Sequence, residues 1–172
     1  MSDDIRSPGS AVPARIETSP PLTFLVVVDD TEEMHQALRF ACVRARATGG
    51  RVALLRVVEP PDFQHFGFVG EQMQREARDE AERLLQRLAA DVNKRSRQTP
   101  ILDVREGGVV DQLIQMVEEE PEISALVLAA RKGKKGPGPL IAGLAGAFGA
   151  RLRVPTIVIP ACLTDDEIDR FG

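Results

Sequence analysis

The feature that most constrains this chain is a regular alternation of short apolar runs with longer segments of helical periodicity. Most of the runs are apolar on both faces, which is typical of a central strand in a parallel sheet that helices cover on both sides. Strands that alternate with helices imply right-handed crossovers between parallel strands. The pattern therefore predicts an α/β fold in a single domain, a five-stranded parallel sheet sandwiched by helices. The predicted strands are LTFLVVVDD, RVALLRVV, PILDVRE, SALVLAA and VPTIVIP.

The segments between these runs show the amphipathic spacing of surface helices. In the first segment, Thr31 is the predicted N-terminal cap, and Gly49 and Gly50 are expected to end the helix. Cys42 lies on the apolar face of this helix, where we expect a buried free thiol. A long helix is predicted from about Glu71 to Arg97, with Met73, Ala77, Ala81, Leu84, Leu85, Leu88 and Val92 on its inner face. Two further helices are predicted over VVDQLIQMVEEE and LIAGLAGAFGARLR.

The two ends of the chain differ from its centre in composition. Residues 1–21 are rich in Ser, Pro and charge and have little to bury, which predicts a disordered tail. Residues 161–172 form an acidic C-terminal tail. One domain is expected between them, over residues 22–160, and it accounts for most of the 172 residues.

The bulk composition argues against several classes of function. A net charge of −4 and the absence of Trp and Tyr argue against nucleic-acid binding by bulk charge or base stacking. The two cysteines and the two histidines are too widely spaced to indicate a metal site. No apolar run approaches the roughly 20 residues of a membrane span, and the N-terminus lacks the apolar centre of a signal peptide. We therefore expect a cytoplasmic protein without membrane or nucleic-acid partners.

Two loops with polar chemistry follow the first and the fourth predicted strands. In open parallel sheets, ligands bind beyond the carboxyl ends of the strands, where the strand order reverses. Asp29, Asp30 and Thr31 follow the first strand, and residues 131–138 follow the fourth. We expect these two loops to converge on one site.

The loop over residues 131–138 combines four cationic side chains with three glycines. Glycines let successive backbone amides point at one anion, and lysines add charge suited to phosphate. A solvated loop that happens to be basic is the alternative. Neither the P-loop pattern GxxxxGK[ST] nor a GxGxxG after a strand occurs in the sequence. No Ser/His/Asp order, distinctive pair of acids or metal cluster is recognisable either, and we expect a protein that is not an enzyme.

Two residue groups near these loops have more than one interpretation. The carboxylate of Asp29 is suited to accept hydrogen bonds from a ribose hydroxyl or an adenine amino group. Alternatively, Asp29 or Asp30 only caps the following helix. Phe63, Phe66 and Phe68 either cover a bound base or, as is commoner, pack on their own sheet or on a partner subunit.

The last predicted strand, VPTIVIP, is short, β-branched and bounded by prolines. As an edge strand it would expose a surface for strand pairing. Pairing with the same strand of a second copy would give a two-fold homodimer through residues 155–160. Protection of the edge by Pro155, Pro160 and the acidic tail is the alternative.

Taken together, these segments resemble the universal stress protein family. The resemblance covers about residues 22–160 and implies a Rossmann-like α/β/α fold with a homodimer through the last strand. In one branch of the family it also implies binding of ATP or AMP, possibly with Mg²⁺, through the pattern G-x2-G-x9-G-[ST]. The segments that carry it are FLVVVDDTEEMHQALRFACVRARATGGRVALLRVVEP, VREGGVVDQLIQMVEEE, ALVLAARKG and RVPTIVIP.

The resemblance places this nucleotide pattern on Ala130, Gly133, Gly143 and Leu144. Ala130 stands in place of the first glycine and Leu144 in place of the hydroxyl residue, so the pattern is degenerate. A leucine side chain offers no hydrogen bond to a phosphate. A second register keeps three glycines, but it also lacks the hydroxyl and leaves too few residues before Pro155.

The remaining nucleotide contacts of the family fall on Asp29 at the nucleoside, Val57 near the base, and Lys132 in place of a usual Arg. Asp30 replaces a usual Gly and adds negative charge near a triphosphate. The implied function is stress response or signalling by binding, with a degenerate adenine-nucleotide site. The alternative is a homodimeric interaction module that binds no nucleotide, whose basic loop contacts an acidic, unknown protein partner or is simply solvated.

Overall fold

The computed structural model describes residues 20–60, 67–133 and 136–172. Most of the predicted N-terminal tail, the aromatic segment with Phe63 and Phe66, and the loop residues Lys134 and Lys135 lie outside these ranges. The elements follow the predicted alternation. They are β1 Thr23–Val27, α1 Met34–Thr48, β2 Arg51–Val58, α2 Gly67–Ser96, β3 Ile101–Glu106, α3 Val109–Glu119, β4 Ile123–Ala129, α4 Pro139–Gly143, α5 Ala147–Arg151, β5 Thr156–Ile159 and α6 Asp165–Asp169.

The five strands form one parallel sheet with the order β3-β2-β1-β4-β5, which confirms the predicted sheet. Strand β1 is central: Leu25 pairs with Ala53 of β2 on one side and with Leu126 of β4 on the other. Strands β1, β2 and β3 progress towards one edge, whereas β4 and β5 lie on the opposite side of β1. The strand order therefore reverses between β1 and β4.

Helices cover both faces of the sheet, which explains why its central strands carry no polar face. Phe24 and Val26 of β1 pack in a first core with residues of α1, α2 and α6. Leu25 and Val27 pack in a second core with residues of α3, α4 and α5. Because side chains alternate between the two faces of a strand, a strand covered on both sides needs an unbroken apolar run.

Helix α1 ends at the predicted glycine but begins later than predicted. Gly49 has a φ of +67°, and its N–H donates to the carbonyl of Ala45, which closes the helix. The prediction that Thr31 caps the helix is wrong, since the first helical residue is Met34. Thr31 instead donates both its N–H and its hydroxyl to the carboxylate of Asp29. Such local hydrogen bonds compete with helix formation.

The side chain of Cys42 lies on the inner face of α1, as predicted, and has no exposed surface. Burial raises the pKa of the Cys42 thiol to about 11. The thiol is therefore protonated at neutral pH, and it behaves as a small apolar side chain rather than as a nucleophile.

Helix α2 has 30 residues and begins four residues before the predicted start. Most of its predicted inner face packs in the first core, with Leu85, Leu88 and Val92 buried. Met73 is an exception, because it is 48% exposed on a turn of α2 that precedes the buried stretch of the helix. Within the described ranges, no helix combines the length and apolar character needed to cross a membrane.

The small-residue helix predicted over residues 140–153 is instead two short helices, α4 and α5. Between them, the N–H groups of Leu144 and Gly146 each donate to the carbonyl three residues earlier, at 3.2 and 3.0 Å. Each glycine in a helix interior costs about 1 kcal/mol relative to alanine, and Gly143 and Gly146 both fall at the break. Gly149 has a separate role, because a Cβ at this position would collide with the backbone carbonyl of Leu144.

The acidic C-terminal tail contains helix α6, which packs against α1. Thr164 and Glu167 form a reciprocal capping box that starts the helix. The side chain of Ile168 is 0% exposed and belongs to the first core. Arg39 of α1 donates to the carboxylates of Asp165 and Asp169 at 2.6–2.7 Å. An apolar anchor and a forked ion pair therefore hold the tail on the helix.

Replacement of Ile168 by alanine should lower the free energy of unfolding by about 2 kcal/mol or more, because it leaves a cavity in the first core. The measurement is urea unfolding followed by circular dichroism. Leu22→Ala is the control, since Leu22 is 41% exposed, and its effect should stay within about 0.5 kcal/mol. Equal stability of the two variants would show that α6 does not dock in solution.

Candidate functional site

A cavity of about 820 Å³ opens where the strand order of the sheet reverses. In parallel α/β sheets, this position beyond the carboxyl ends of the strands leaves a crevice between diverging connections. The ends of β1, β2 and β4 contribute to it, together with α1, α2 and the starts of α3 and α4. The volume is within the range of small-molecule binding sites. The two loops predicted to converge on one site both contribute to this cavity, through Asp29, Asp30 and Thr31 and through Arg131, Pro137 and Gly138.

Part of the cavity wall is apolar and comes from the second core. Val27 and Val57 lie at the ends of β1 and β2, and Val109 lies at the start of α3. Val27 and Val57 are each only 9% exposed, so the strand ends that carry them are well packed. An apolar wall of this kind suits an aromatic or heteroaromatic ring.

Asp29 follows β1 and lines the cavity with a carboxylate that hydrogen bonds hold in one orientation. Its Oδ1 accepts the backbone N–H of Thr31 at 3.0 Å and the hydroxyl of Thr31 at 2.5 Å. Within the described part of the chain, its Oδ2 has no hydrogen-bond partner, and the side chain is exposed. The carboxylate is therefore oriented by one oxygen and keeps the other for a donor from solvent or from a ligand.

Asp30 is paired with a cation that sequence reasoning missed. Arg56 of β2 donates to the carboxylate of Asp30 at 2.9 Å and to the carbonyl of Val28 at 3.1 Å. Arg56 thereby balances the negative charge of Asp30 and holds the end of β1 in place. One signal was visible in the sequence, namely a single charged residue inside the otherwise apolar run VALLRVV.

The start of the basic loop is closed by internal hydrogen bonds. The N–H of Ala130 donates to Ile159 of β5 at 2.9 Å, and the N–H of Arg131 donates to Pro137 at 3.2 Å. The N–H of Lys132 donates to the side chain of Glu33 at 2.9 Å. Three successive amides at the start of the loop are therefore already engaged within the chain.

Glu33 is a second residue beside the cavity whose contact could not be predicted from the sequence. It precedes the first residue of α1, and its carboxylate reaches across to the loop that follows β4. The hydrogen bond from the N–H of Lys132 lowers the pKa of Glu33, and the charges of Lys132 and Arg131 lower it further. No local pattern in the sequence indicates this contact, because it joins residues 99 positions apart.

The structure separates the predicted site residues into two groups. Asp29 and Val57 line the cavity. Gly143 abuts Phe148, and Leu144 packs half-buried against the second core. Gly133 is exposed and has a φ of +104°, a conformation that favours glycine. The predicted residues that do not line the cavity are Ala130, Lys132, Gly133, Gly143 and Leu144.

The described ranges contain no group of three or more His, Cys, Asp and Glu side chains suited to hold a metal ion. The described residues that line the cavity carry carboxylates, guanidinium groups, the hydroxyl of Thr31 and apolar side chains.

The sequence model of the universal stress protein family matches residues 22–160. This chain belongs to the universal stress protein family. The match spans β1 to β5 and includes both loops of the cavity. It leaves α6 outside, so the docked C-terminal helix is a feature of this universal stress protein beyond the matched region.

Solved structures share the fold at low sequence identity. Universal stress protein UspA from Lactobacillus plantarum superposes with a TM-score of 0.65 at 18% identity, over 83% of this chain and 99% of that chain. A universal stress family protein from Burkholderia pseudomallei gives a TM-score of 0.61 at 21% identity, over 81% and 96%. An Arabidopsis thaliana family member with AMP bound gives 0.52 at 14% identity, over 81% and 92%. A comparison with curated proteins gives no match.

The backbone amide signal of Lys132 should titrate with the carboxylate of Glu33. The pKa of Glu33 lies below its usual value of 4.5. The contact therefore stabilises the protein above that value and is lost as the pH falls through the lowered pKa. In ¹H–¹⁵N spectra recorded from neutral to acidic pH, the Lys132 amide proton should move upfield at the low end.

The matched variants for this titration are Glu33→Ala and Glu32→Ala, which remove one acid each from neighbouring positions. Glu33→Ala should abolish the titration of Lys132, and Glu32→Ala should leave it in place. A titration that survives in Glu33→Ala would assign the Lys132 shift to another acid.

Proposed function

We propose that this universal stress protein acts by reversible binding of an adenine nucleotide, ATP or AMP, in the cavity between β1 and β4. It would serve stress response or signalling in the cytoplasm through binding rather than through turnover. The observation that carries the proposal is the position of Asp29, oriented by Thr31 at the mouth of an 820 Å³ cavity at the reversal of strand order.

The chemistry of the cavity supports a nucleoside as the ligand. Oδ2 of Asp29 is suited to accept hydrogen bonds from ribose hydroxyls or from an adenine amino group. Val27 and Val57 give the base an apolar surface beside it. Arg131 lines the same cavity and supplies positive charge for a phosphate. With ATP, Mg²⁺ would arrive on the phosphates of the nucleotide. The AMP bound by the Arabidopsis thaliana family member is in keeping with this ligand class.

Binding without turnover is proposed from the side chains available. The described residues that line the cavity include no histidine and no cysteine. Asp29 is committed to Thr31 through one oxygen, and Asp30 is paired with Arg56. A general base for water must reach the reacting group with an unoccupied lone pair and a suitable pKa. The carboxylates at the end of β1 are better suited to hold a ligand than to activate water.

Isothermal titration calorimetry with AMP and with ATP plus Mg²⁺ tests the proposal. The purified protein is first denatured in an aliquot, and the supernatant is examined for carried-over nucleotide. We expect micromolar binding of at least one adenine nucleotide. Asp29→Asn keeps an oxygen for Thr31 but replaces an acceptor with a donor, so it should weaken binding about tenfold.

Glu32→Gln is the control for Asp29→Asn, because Glu32 is exposed, does not line the cavity, and carries the same charge. It should bind nucleotide as the unmodified protein does. An equal loss of nucleotide affinity in both variants would show that Asp29 contributes only its negative charge and no specific hydrogen bond. The absence of binding and of carried-over nucleotide in every preparation would contradict the nucleotide proposal.

An interaction module without nucleotide is the second candidate function. The observation that favours it is the closed state of the basic loop, whose first three amides are engaged internally. Leu144 also stands where the family pattern has a hydroxyl residue, and it packs half-buried against the core. If calorimetry finds no nucleotide, the charged surface of this loop becomes a candidate contact for an acidic protein partner.

We also propose a homodimer through the edge strand β5. The strand lies at one end of the sheet order, so one side of its backbone is not paired within the described chain. Val158 is 39% exposed on this strand, which is unusual for a large apolar residue in this structure. Antiparallel pairing with a second copy about a two-fold axis would cover both features.

Val158→Glu should convert the dimer to a monomer, because it places a charge on each side of the proposed two-fold interface. Light scattering coupled to size-exclusion chromatography measures the mass, and circular dichroism verifies folding. Met73→Glu is the matched control, since Met73 is 48% exposed on α2, far along the chain from β5. A dimer that persists in Val158→Glu would place the interface on another surface.

A further inference from the structure

The contact between Glu33 and Lys132 places a carboxylate where an anion-binding loop would receive a phosphate. The N–H of Lys132 donates to Oε1 of Glu33 at 2.9 Å, and Arg131 lies next in the chain. Phosphate oxygens bind the same kind of donor, a backbone amide beside cationic side chains. Glu33 therefore acts as an internal anion at the start of the loop.

Of the first three amides of the loop, the amide of Lys132 is the one that donates to a side chain. The amides of Ala130 and Arg131 donate to backbone carbonyls, at 2.9 and 3.2 Å. Those two bonds belong to the extension of β4 and to the turn of the loop, and no substitution of a side chain removes their acceptors. The amide of Lys132 is different, because a change at Glu33 alone releases it.

Neither Glu33 nor Lys132 lines the cavity, but their neighbours in the sequence do, so the contact adjoins its rim. On the α1 side, Thr31 and Met34 line the cavity, and they flank Glu33 in the sequence at a distance of one or two residues. On the loop side, Arg131 lines it and directly precedes Lys132. A nucleoside held at Asp29 with its phosphates directed towards Arg131 would bring them next to the carboxylate of Glu33.

Like the carboxylate of Glu33, the charges of the cavity wall affect how well an anionic ligand binds. Among the described residues, five carboxylates and three guanidinium groups line the cavity. Arg56 is paired with Asp30, and Asp111 is paired with Arg151. Three of the five carboxylates and two of the three guanidinium groups therefore remain outside these ion pairs. The remaining charge of the described wall is slightly negative, so the wall favours a neutral or weakly anionic ligand over one with several negative charges.

We propose that Glu33 makes this cavity selective for nucleosides and nucleoside monophosphates over triphosphates. The inference rests on the proposed function, because it concerns the ligand of the same cavity. Adenosine needs only Asp29 and the apolar wall. AMP adds one phosphate, which Arg131 can accommodate. The further phosphates of ATP must displace Glu33 from Lys132 and then remain beside its charge, so each of them weakens binding.

The test is calorimetry with adenosine, AMP and ATP at one low ionic strength, on the unmodified protein and on three variants. The unmodified protein should bind AMP more tightly than ATP. Glu33→Ala frees the amide and removes the charge, and it should strengthen ATP binding about tenfold. Its affinity for adenosine should stay within about twofold, because no phosphate meets the released amide. Glu33→Gln removes the charge but keeps an acceptor, and it should give a smaller gain for ATP.

Glu32→Ala is the matched control, since it removes the same charge one residue earlier and Glu32 is exposed. It should change ATP affinity by less than about twofold, as expected of a screened surface charge. Equal gains in Glu32→Ala and Glu33→Ala would overturn the proposal, since they would report net charge alone. So would tighter binding of ATP than of AMP by the unmodified protein, or an unchanged ATP affinity in Glu33→Ala.

The outcomes separate this inference from the proposed function. If adenosine or AMP binds and the Glu33 variants leave the ATP-to-AMP ratio unchanged, the nucleotide site stands and the role of Glu33 is wrong. If none of the three ligands binds the unmodified protein or any variant, the nucleotide function itself is overturned, together with the selectivity that depends on it.

Discussion

The structure depends on the burial of β1 and β4 on both faces at the centre of a parallel sheet. In β1, Phe24 and Val26 face one core, and Leu25 and Val27 face the other, so neither face of the strand is exposed to solvent. Parallel pairing then requires a helical crossover for every connection. The connections that follow β1 and β4 lead to helices on opposite faces of the sheet, and the crevice with Asp29 and Arg131 lies between them. The position of the site thus follows from how the apolar strands are buried.

Burial also explains which parts of the molecule could be predicted from the sequence. The apolar runs of β1, β2 and β4 predict a covered parallel sheet, and Gly49 predicts the end of α1, because these signals are local. Helix α6 was not predicted, since its stability comes from Ile168 and Arg39, a contact with a helix more than a hundred residues earlier. The break between α4 and α5 was missed because small residues satisfy a helical pattern without supporting the helix.

The candidate site divides in the same way. Asp29 was identifiable because it follows a buried strand directly, and the structure places it in the wall of the cavity. Arg56 and Glu33 were missed, because their roles come from partners on other elements, Asp30 and Lys132. From the sequence, the backbone amides of the loop after β4 were predicted to be available to an anion. A folded chain satisfies its backbone donors wherever it can, and this loop does so with carbonyls and with a carboxylate.

The fold and the proposed ligand preference are therefore under different physical control in this universal stress protein. The fold recurs in solved structures at 14–21% identity, as expected because apolar side chains of similar total volume can fill the same core. In the proposed function, the ligand preference would be set at the rim of the cavity by side chains such as Glu33 and Asp30, which the cores do not constrain. A substitution at Glu33 or Asp30 leaves every buried contact in place and still changes the charge that a phosphate meets. If the proposed function holds, the fold defines where the ligand binds, and the residues at the rim of the cavity define which ligand it is.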